Sequence, residues 1–262
     1  MTRPQRRALV RRPGPRLADG LVTHLERVPV DVDLAIRQWE QYTAVLAADG
    51  WDLVEVPPAD DCPDAVFVED AVVMFHPPTT FHTLALVTRP GAESRRPEID
   101  AVEPVAASLG CEIQRITEPG TLDGGDILKV GNVVYVGHGG RTNTEGIRQL
   151  RALLEPLGAT VLVVPVSKVL HLKSAVTALP DGTIIGYPPL VDDDRVFDRF
   201  RPVPEESGAH VVLLGDGRLL MAADAPQSAE LFRSLGYEPV TVDIGEFQKL
   251  EGCVTCLSVR LR

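Results

Sequence analysis

Thiols, carboxylates and one histidine are the side chains in this sequence whose grouping could do chemistry. The last eleven residues, 252–262, read G-C-V-T-C-L-S-V-R-L-R and carry two of the four cysteines. Acidic residues gather in D-A-V-F-V-E-D (64–70) and T-L-D-G-G-D (121–126), and a histidine stands in L-H-L-K-S (170–174). A thiolate is a nucleophile, an imidazole moves protons, and a carboxylate can orient an imidazole or hold a cation. Cys256 is the candidate nucleophile, entering a closing β-strand. Each residue alone also has a plainer reading. Glu69 and Asp70 could form a structural ion pair, since buried carboxylates need partners. Asp123-Gly124-Gly125-Asp126 could be only a turn. His171 could be a satisfied core histidine, and Cys256 a small buried hydrophobe.

The Cys253-x-x-Cys256 spacing also admits redox or zinc chemistry. Redox pairs of this spacing sit at helix N-termini, where the dipole lowers the thiol pKa; this pair precedes a strand. A structural zinc ion needs about four ligands in suitable spacing. Cys62 and Cys111 are isolated.

The elements that must position these residues repeat. Apolar runs pair across short turns at 66–75 with 83–89 and 126–130 with 133–137, and again at 174–179 with 183–187 and 210–214 with 218–222. Gly131-Asn132, Asp181-Gly182 and Gly215-Asp216-Gly217 mark three of the turns. A fifth pair requires the terminal strand 255–261 to meet residues 7–12. Helical patterns fall between, over 33–48, 97–109, 142–157, 192–200 and 226–235. Pro97 reads as a first-turn proline, and Thr142-x-x-Glu145 as a capping box. Strand-like runs follow at 51–56, 111–116, 160–165 and 239–243, with a weak one near Val203. Five units of hairpin, helix and strand point to a ring, because closure removes exposed sheet edges. Rotation would then bring the polar clusters, each just ahead of a hairpin, to one pocket near the axis. The competing reading is an ordinary two-domain α/β protein.

Composition bounds the function. The chain has 262 residues, 44% of them apolar, and no linker or low-complexity stretch, so one domain over 1–262 is expected. No apolar run reaches about 18 residues, which gives no expectation of a membrane partner. The basic start lacks an apolar stretch and is broken by Pro13 and Pro15, so a secretory signal is not expected and a reducing, cytoplasmic setting is. A net charge of −11 disfavours nucleic acid and suits a small cationic ligand.

The segments D-A-V-F-V-E-D-A-V-V (64–73), T-R-P-G-A-E-S-R-R-P-E (88–98), L-D-G-G-D-I-L (122–128), G-G-R-T-N (139–143), L-H-L-K-S (170–174) and E-G-C-V-T-C-L-S-V (251–259) together resemble the dimethylarginine dimethylaminohydrolases, of the guanidino-group-modifying (pentein) superfamily. The resemblance implies an α/β fold, a pseudo-five-fold propeller of five modules closed by the C-terminal strand. It implies Cys256 as nucleophile, His171 as general acid/base and Asp123 as the partner of the histidine. Asp64, Glu69 and Asp70 match contacts to the substrate guanidinium and amine, and Arg95 and Arg141 match residues that hold its carboxylate. Leu17, in P-G-P-R-L-A-D-G (13–20), matches a mobile lid leucine, expected to be exposed, and Leu250 matches a backbone contact to the amine. Cys253 replaces an apolar residue of relatives and receives no role.

The implied reaction is hydrolysis of Nω-methylated arginine to citrulline and an alkylamine through a covalent Cys-alkylthiouronium, with a small guanidino amino acid as the partner and no metal or organic cofactor. The family admits a homodimer. Alternatives are an arginine deiminase or amidinotransferase of the same superfamily, or a non-catalytic guanidino-binding propeller.

Overall fold

The structure is a computed structural model and describes residues 6–77 and 82–261. Arg262, the last residue of the terminal stretch, lies outside them. So does the middle of the connection between the first hairpin's two runs.

Five three-stranded sheets share one build. In the first module, β1 (Arg7–Val10) leads to α1 (Val32–Ala48) and then to β2 (Asp52–Glu55), parallel to β1. The second module is the hairpin β3 (Val72–Phe75) and β4 (Leu84–Val87), then α2 (Val102–Ser108) and β5 (Glu112–Arg115). The third is β6 (Ile127–Val130), β7 (Val133–His138), α3 (Thr144–Leu154) and β8 (Thr160–Pro165). The fourth holds β9 (Val176–Ala178), β10 (Ile184–Gly186) and β11 (Phe200–Pro202). The fifth holds β12 (Val212–Leu213), β13 (Arg218–Ala222), α4 (Pro226–Ser234) and β14 (Glu238–Val242). After α5 (Gly245–Gln248), β15 (Val259–Leu261) returns antiparallel to β1, with Arg7 opposite Leu261 and Leu9 opposite Val259. The ring is thus closed by the C-terminal strand, a five-module α/β propeller.

The core lies between neighbouring modules. Leu9, Val259 and Leu261 pack with Val72, Met74 and Val87. Val73 and Leu86 pack with Ile127 and Val136. β3 and β4 are buried throughout, which is why they read as unbroken apolar runs. Helix α1 buries Ala35, Trp39, Tyr42 and Leu46 on one stripe, and the Asp31 side chain accepts from Leu34 N at its start. Proline opens α4 as the pattern predicts. Gly131, Gly182 and Gly217 take the positive φ that the three hairpin turns need.

Several expectations are corrected. The 192–200 stretch forms no α-helix: a 3-10 turn at Asp194–Val196 is followed by three residues in bends and then β11. Three consecutive aspartates there favour turns over helix interior. Pro97 sits in a 3-10 helix, Glu93–Ile99, ahead of α2 and not in its first turn. The Thr142 capping box is absent; Asn143 caps α3, its side chain accepting from Gly146 N. Thr142 instead donates to Asp126. The polar clusters also lie outside the strands. They occupy 3-10 turns at Val68–Asp70, Gly124–Asp126 and Leu172–Ser174, and Cys256 occupies a turn before β15.

Candidate active site

The turns that precede the hairpins meet at the ring axis. Their closeness depends on glycine. A Cβ on Gly124 would lie 2.0 Å from Glu69 O, and one on Gly125 would lie 2.6 Å from Asp70 Oδ1 and 2.7 Å from His171 Cγ. D-G-G-D is therefore more than a turn signal: its glycines let three modules converge.

His171 is the hub, fully buried among carboxylates. Its Nε2 lies 2.9 Å from Asp123 Oδ2 and its Nδ1 lies 3.8 Å from Asp70 Oδ1. Burial alone would lower its pKa, but Asp70, Asp123 and Asp126 outweigh it and push the ring up to about 9. At neutral pH it is an imidazolium. Asp123 is held in turn by Gly91 N, which donates to Oδ1 at 2.8 Å, and its own N–H donates to Thr142 Oγ1. Asp126 accepts from Thr142 Oγ1 at 2.6 Å and from Leu172 N at 2.9 Å. Burial raises Asp126 to about 6 despite His171.

Asp70 is held by Arg95 Nη1 at 2.6 Å and by Gly125 N at 2.8 Å. Burial works against its ionisation, yet His171 and Arg95 prevail and keep it well below the usual carboxylate range. Arg95 is buried, neither on the surface nor reaching into open space. Glu98 binds its Nε and Nη2, the Asp64 and Phe67 carbonyls share Nη2, and one Nη1–H is left uncommitted among the described residues. Arg141 differs. Its Nη1 is buried with no hydrogen-bond partner, 3.8 Å from Asp123, and its Nη2 reaches only Thr23 Oγ1 at 3.5 Å. A buried donor left unpaired in this way has capacity for one more acceptor.

Glu69 has protein partners on its carboxylate. Its carboxylate pairs with Lys173 Nζ at 2.6 Å, accepts from Thr255 Oγ1 at 2.9 Å and has Arg260 Nη2 at 3.6 Å. It lines a cavity of about 250 Å³ with Lys173 and Arg260, whereas Asp70, Asp123, His171 and Cys256 do not. The structural ion pair describes its side chain. Its backbone N–H faces the axis and donates to Cys256 O.

Cys256 and Cys253 share one turn, with Cys256 N donating to Cys253 O and the sulfurs 3.3 Å apart. The Cys253 contact, burial and the negative charges of Glu69 and Asp70 all push the Cys256 thiol up. The turn is fixed from behind by Tyr42, whose hydroxyl donates to Val254 O at 2.9 Å and lies 2.7 Å from Ser258 Oγ.

Leu17 is fully buried, in a 3-10 turn at Leu17–Asp19, correcting the expected exposure. It joins Phe67, Phe247, Leu250 and Cys256 in one apolar cluster. The segment is tied down on both sides. Asp64 accepts twice from Leu21 N, and Glu251 accepts from Thr23 N and His24 N. Asp64 thus grips this covering segment in the structure, and burial raises its pKa. Leu250 is buried beside Gly20.

Lys173, Arg260, Glu98, Thr142 and Glu251 complete the arrangement and had no role at the site from sequence. The Arg95-x-x-Glu98 spacing is a legible signal for one of them; Thr142 pairs within its own module, and Lys173, Arg260 and Glu251 pair across modules. Asp70, Asp123 and His171 could gather around a metal ion, as one ligand atom from each lies within 4.8 Å of the others. Arg95 and the proton on His171 already neutralise those groups, so the donor set does not suit one.

The fold and this axial cluster of thiol, histidine and carboxylates define a guanidino-modifying, pentein-class protein. The arginine deiminase family model matches residues 95–216. The N-terminal domain of ArgZ, an arginine dihydrolase from cyanobacteria, has the same fold: TM-score 0.86 at 18% identity, covering 98% of each chain. A Streptomyces coelicolor N(G),N(G)-dimethylarginine dimethylaminohydrolase is 67% identical over 99% of this chain and 98% of that relative. A solved Pseudomonas aeruginosa dimethylarginine dimethylaminohydrolase, complexed with citrulline, matches with TM-score 0.88 at 34% identity over 97% of this chain and 98% of that one. The chain belongs to the dimethylarginine dimethylaminohydrolase family.

Proposed function

We propose that the chain hydrolyses Nω-methylated L-arginine to L-citrulline and a methylamine, with Cys256, His171 and Asp123 as the catalytic group and 1–262 as one domain. The observation that carries it is a buried histidine, held between the carboxylates of Asp123 and Asp70, in the ring that also presents a buried thiol.

A guanidinium is a delocalised cation and a poor electrophile. The pocket supplies the anionic Asp70 on its floor, while Leu17 and the segment that carries it exclude water. Entry of the cation reverses the field that Glu69 and Asp70 impose on Cys256 and favours its thiolate. The thiolate adds to the guanidinium carbon. Asp123 occupies Nε2 of His171, which leaves Nδ1–H as the proton donor to the departing amine nitrogen. The C–N bond breaks and an alkylthiouronium remains on Cys256. His171, now neutral, takes a proton from water as the water adds, and the thiolate leaves as citrulline forms. Arg141 Nη1 receives the substrate carboxylate, with the free Nη1–H of Arg95 as a second donor. Asp64 and the Leu250 carbonyl read the substrate amine. Glu69 contributes through its backbone and through the Lys173 pair.

Arginine deiminase activity is the second reading, favoured by the family model over 95–216. Incubation with asymmetric dimethylarginine, monomethylarginine and arginine separates them. Citrulline is expected from the methylated substrates; citrulline from arginine alone would reject the first reading.

A further inference from the structure

The chemistry above uses one sulfur of Cys253 and Cys256 and leaves the other without a task. The two are nevertheless placed as a pair. Cys256 N donates to Cys253 O at 3.1 Å, the closing bond of a four-residue turn. Such a turn holds its end Cα atoms within about 7 Å. Disulfides span Cα separations up to ~6.8 Å, with sulfurs ~2.05 Å apart. The sulfurs already lie 3.3 Å from each other. Side-chain rotation closes that gap; the turn, pinned by Tyr42 to Val254 O, need not move. Cys253 N also donates to Cys256 Sγ at 3.4 Å, and Thr255 Oγ1 lies 3.3 Å from Cys253 Sγ. The Cys253 N–H can stabilise a thiolate on Cys256, whereas the Thr255 hydroxyl proton is already donated to Glu69. Cys62 and Cys111 are buried elsewhere as free thiols, Cys111 in the core between the first and second modules.

We propose that Cys253 and Cys256 are a hydroperoxide-reactive modification site that converts reversibly to an intramolecular disulfide. The ionised sulfur attacks the terminal oxygen of the hydroperoxide. The O–O bond breaks, the sulfur becomes a sulfenic acid, and an alcohol or water leaves with the second oxygen. The other sulfur then attacks the sulfenic sulfur, the S–O bond breaks, and water carries away its proton and the hydroxyl. In sum, two thiols lose two electrons and two protons, and the hydroperoxide is reduced by two electrons. The bond removes the nucleophile from use. It also shelters the sulfenic stage, which in a solitary thiol advances irreversibly to sulfinic acid. A guanidino substrate bound against Cys256 blocks approach of the peroxide to the sulfur, so the disulfide forms in the ligand-free enzyme.

The loss of activity rests on Cys256 being the nucleophile; formation of the bond does not, and the two are read separately. The full-length protein is treated with hydrogen peroxide, denatured, alkylated and weighed intact. The expected product has lost two hydrogens, with Cys253 and Cys256 unlabelled and Cys62 and Cys111 labelled. Citrulline formation is lost with it, and dithiothreitol restores both. Cys253→Ser, with Cys253→Ala in parallel, keeps basal turnover, yet peroxide now adds oxygen to Cys256 and dithiothreitol restores nothing. Oxygen addition to Cys256 in the wild type, with no disulfide and the same irreversible loss as the variants, would overturn the proposal. Disulfide formation with undiminished citrulline production would leave the modification site standing and reject Cys256 as nucleophile.

Discussion

His171 carries a charge at neutral pH because of what surrounds it, and its neighbours were only partly visible in the sequence. Asp70, Asp123 and Asp126 stand in short motifs, so their presence near a histidine was legible. Their division of labour was not. It depends on which carboxylate meets Nε2, which faces Nδ1, and which is occupied by Thr142 and Leu172 N. Arg95 and Arg141 looked alike in sequence, both basic and both in Gly-rich loops. Their partners separate them: Arg95 gives all but one Nη1–H to Asp70, Glu98 and two backbone carbonyls, whereas Arg141 Nη1 has no hydrogen-bond partner among the described residues. At this scale Asp123→Asn is the telling change. It preserves size but offers Nε2 a weaker partner, so turnover falls by about 10²–10⁴-fold. The His171 titration also moves down from about 9. Steady-state kinetics and NMR titration of the ring read the two effects.

Element by element, hairpins were read well and their entrances badly. β7, β8 and β13 fall within a residue of the apolar runs because those runs are bounded by turn glycines. The functional 3-10 turns were folded into the strands that follow them, since three-residue turns have no periodicity to detect. Thr142 shows how a local rule loses to tertiary structure. T-x-x-E is a sound capping signature, yet the hydroxyl is drawn to the buried Asp126 and Asn143 caps in its place. Asn143→Ala should therefore cost about 1 kcal/mol of stability, and Asn143→Asp should recover most of it, by thermal or denaturant melts. The Asn143 side chain also accepts from Thr121 N, which ties helix α3 to the D-G-G-D turn. A loss near zero would assign the cap elsewhere.

At the scale of the whole molecule, five weakly similar modules make one axis, and closure by β15 is what sets the Cys256 turn there. The symmetry was legible from the repeat; the charges that meet at the axis are a product of closure and have a cost and a benefit that vary with pH. His171 has an ordinary value of 6.5 and a folded value of about 9. A raised folded value means that its contribution, about 3 kcal/mol, is fully present below pH 6.5 and is lost as pH rises through 9. Asp126, raised from 3.8 to about 6, follows the same sign at lower pH: its contribution is present below 3.8 and lost as pH rises through 6. The stability difference between wild type and His171→Gln is thus expected to be largest at and below about pH 6 and to shrink across pH 6.5–9. A difference that stays constant over that range would show that the imidazolium is not what the ring stabilises.

The central claim is that the Cys256 thiolate attacks a guanidinium carbon in this axial pocket, and acid-quenched mass spectrometry during turnover of asymmetric dimethylarginine tests it most directly. The account predicts a transient substrate-derived adduct on the C-terminal peptide, mapped by fragmentation to Cys256, absent from Cys256→Ser and accompanied by no citrulline from that variant. An adduct on Cys253, or undiminished citrulline from Cys256→Ser, would contradict it.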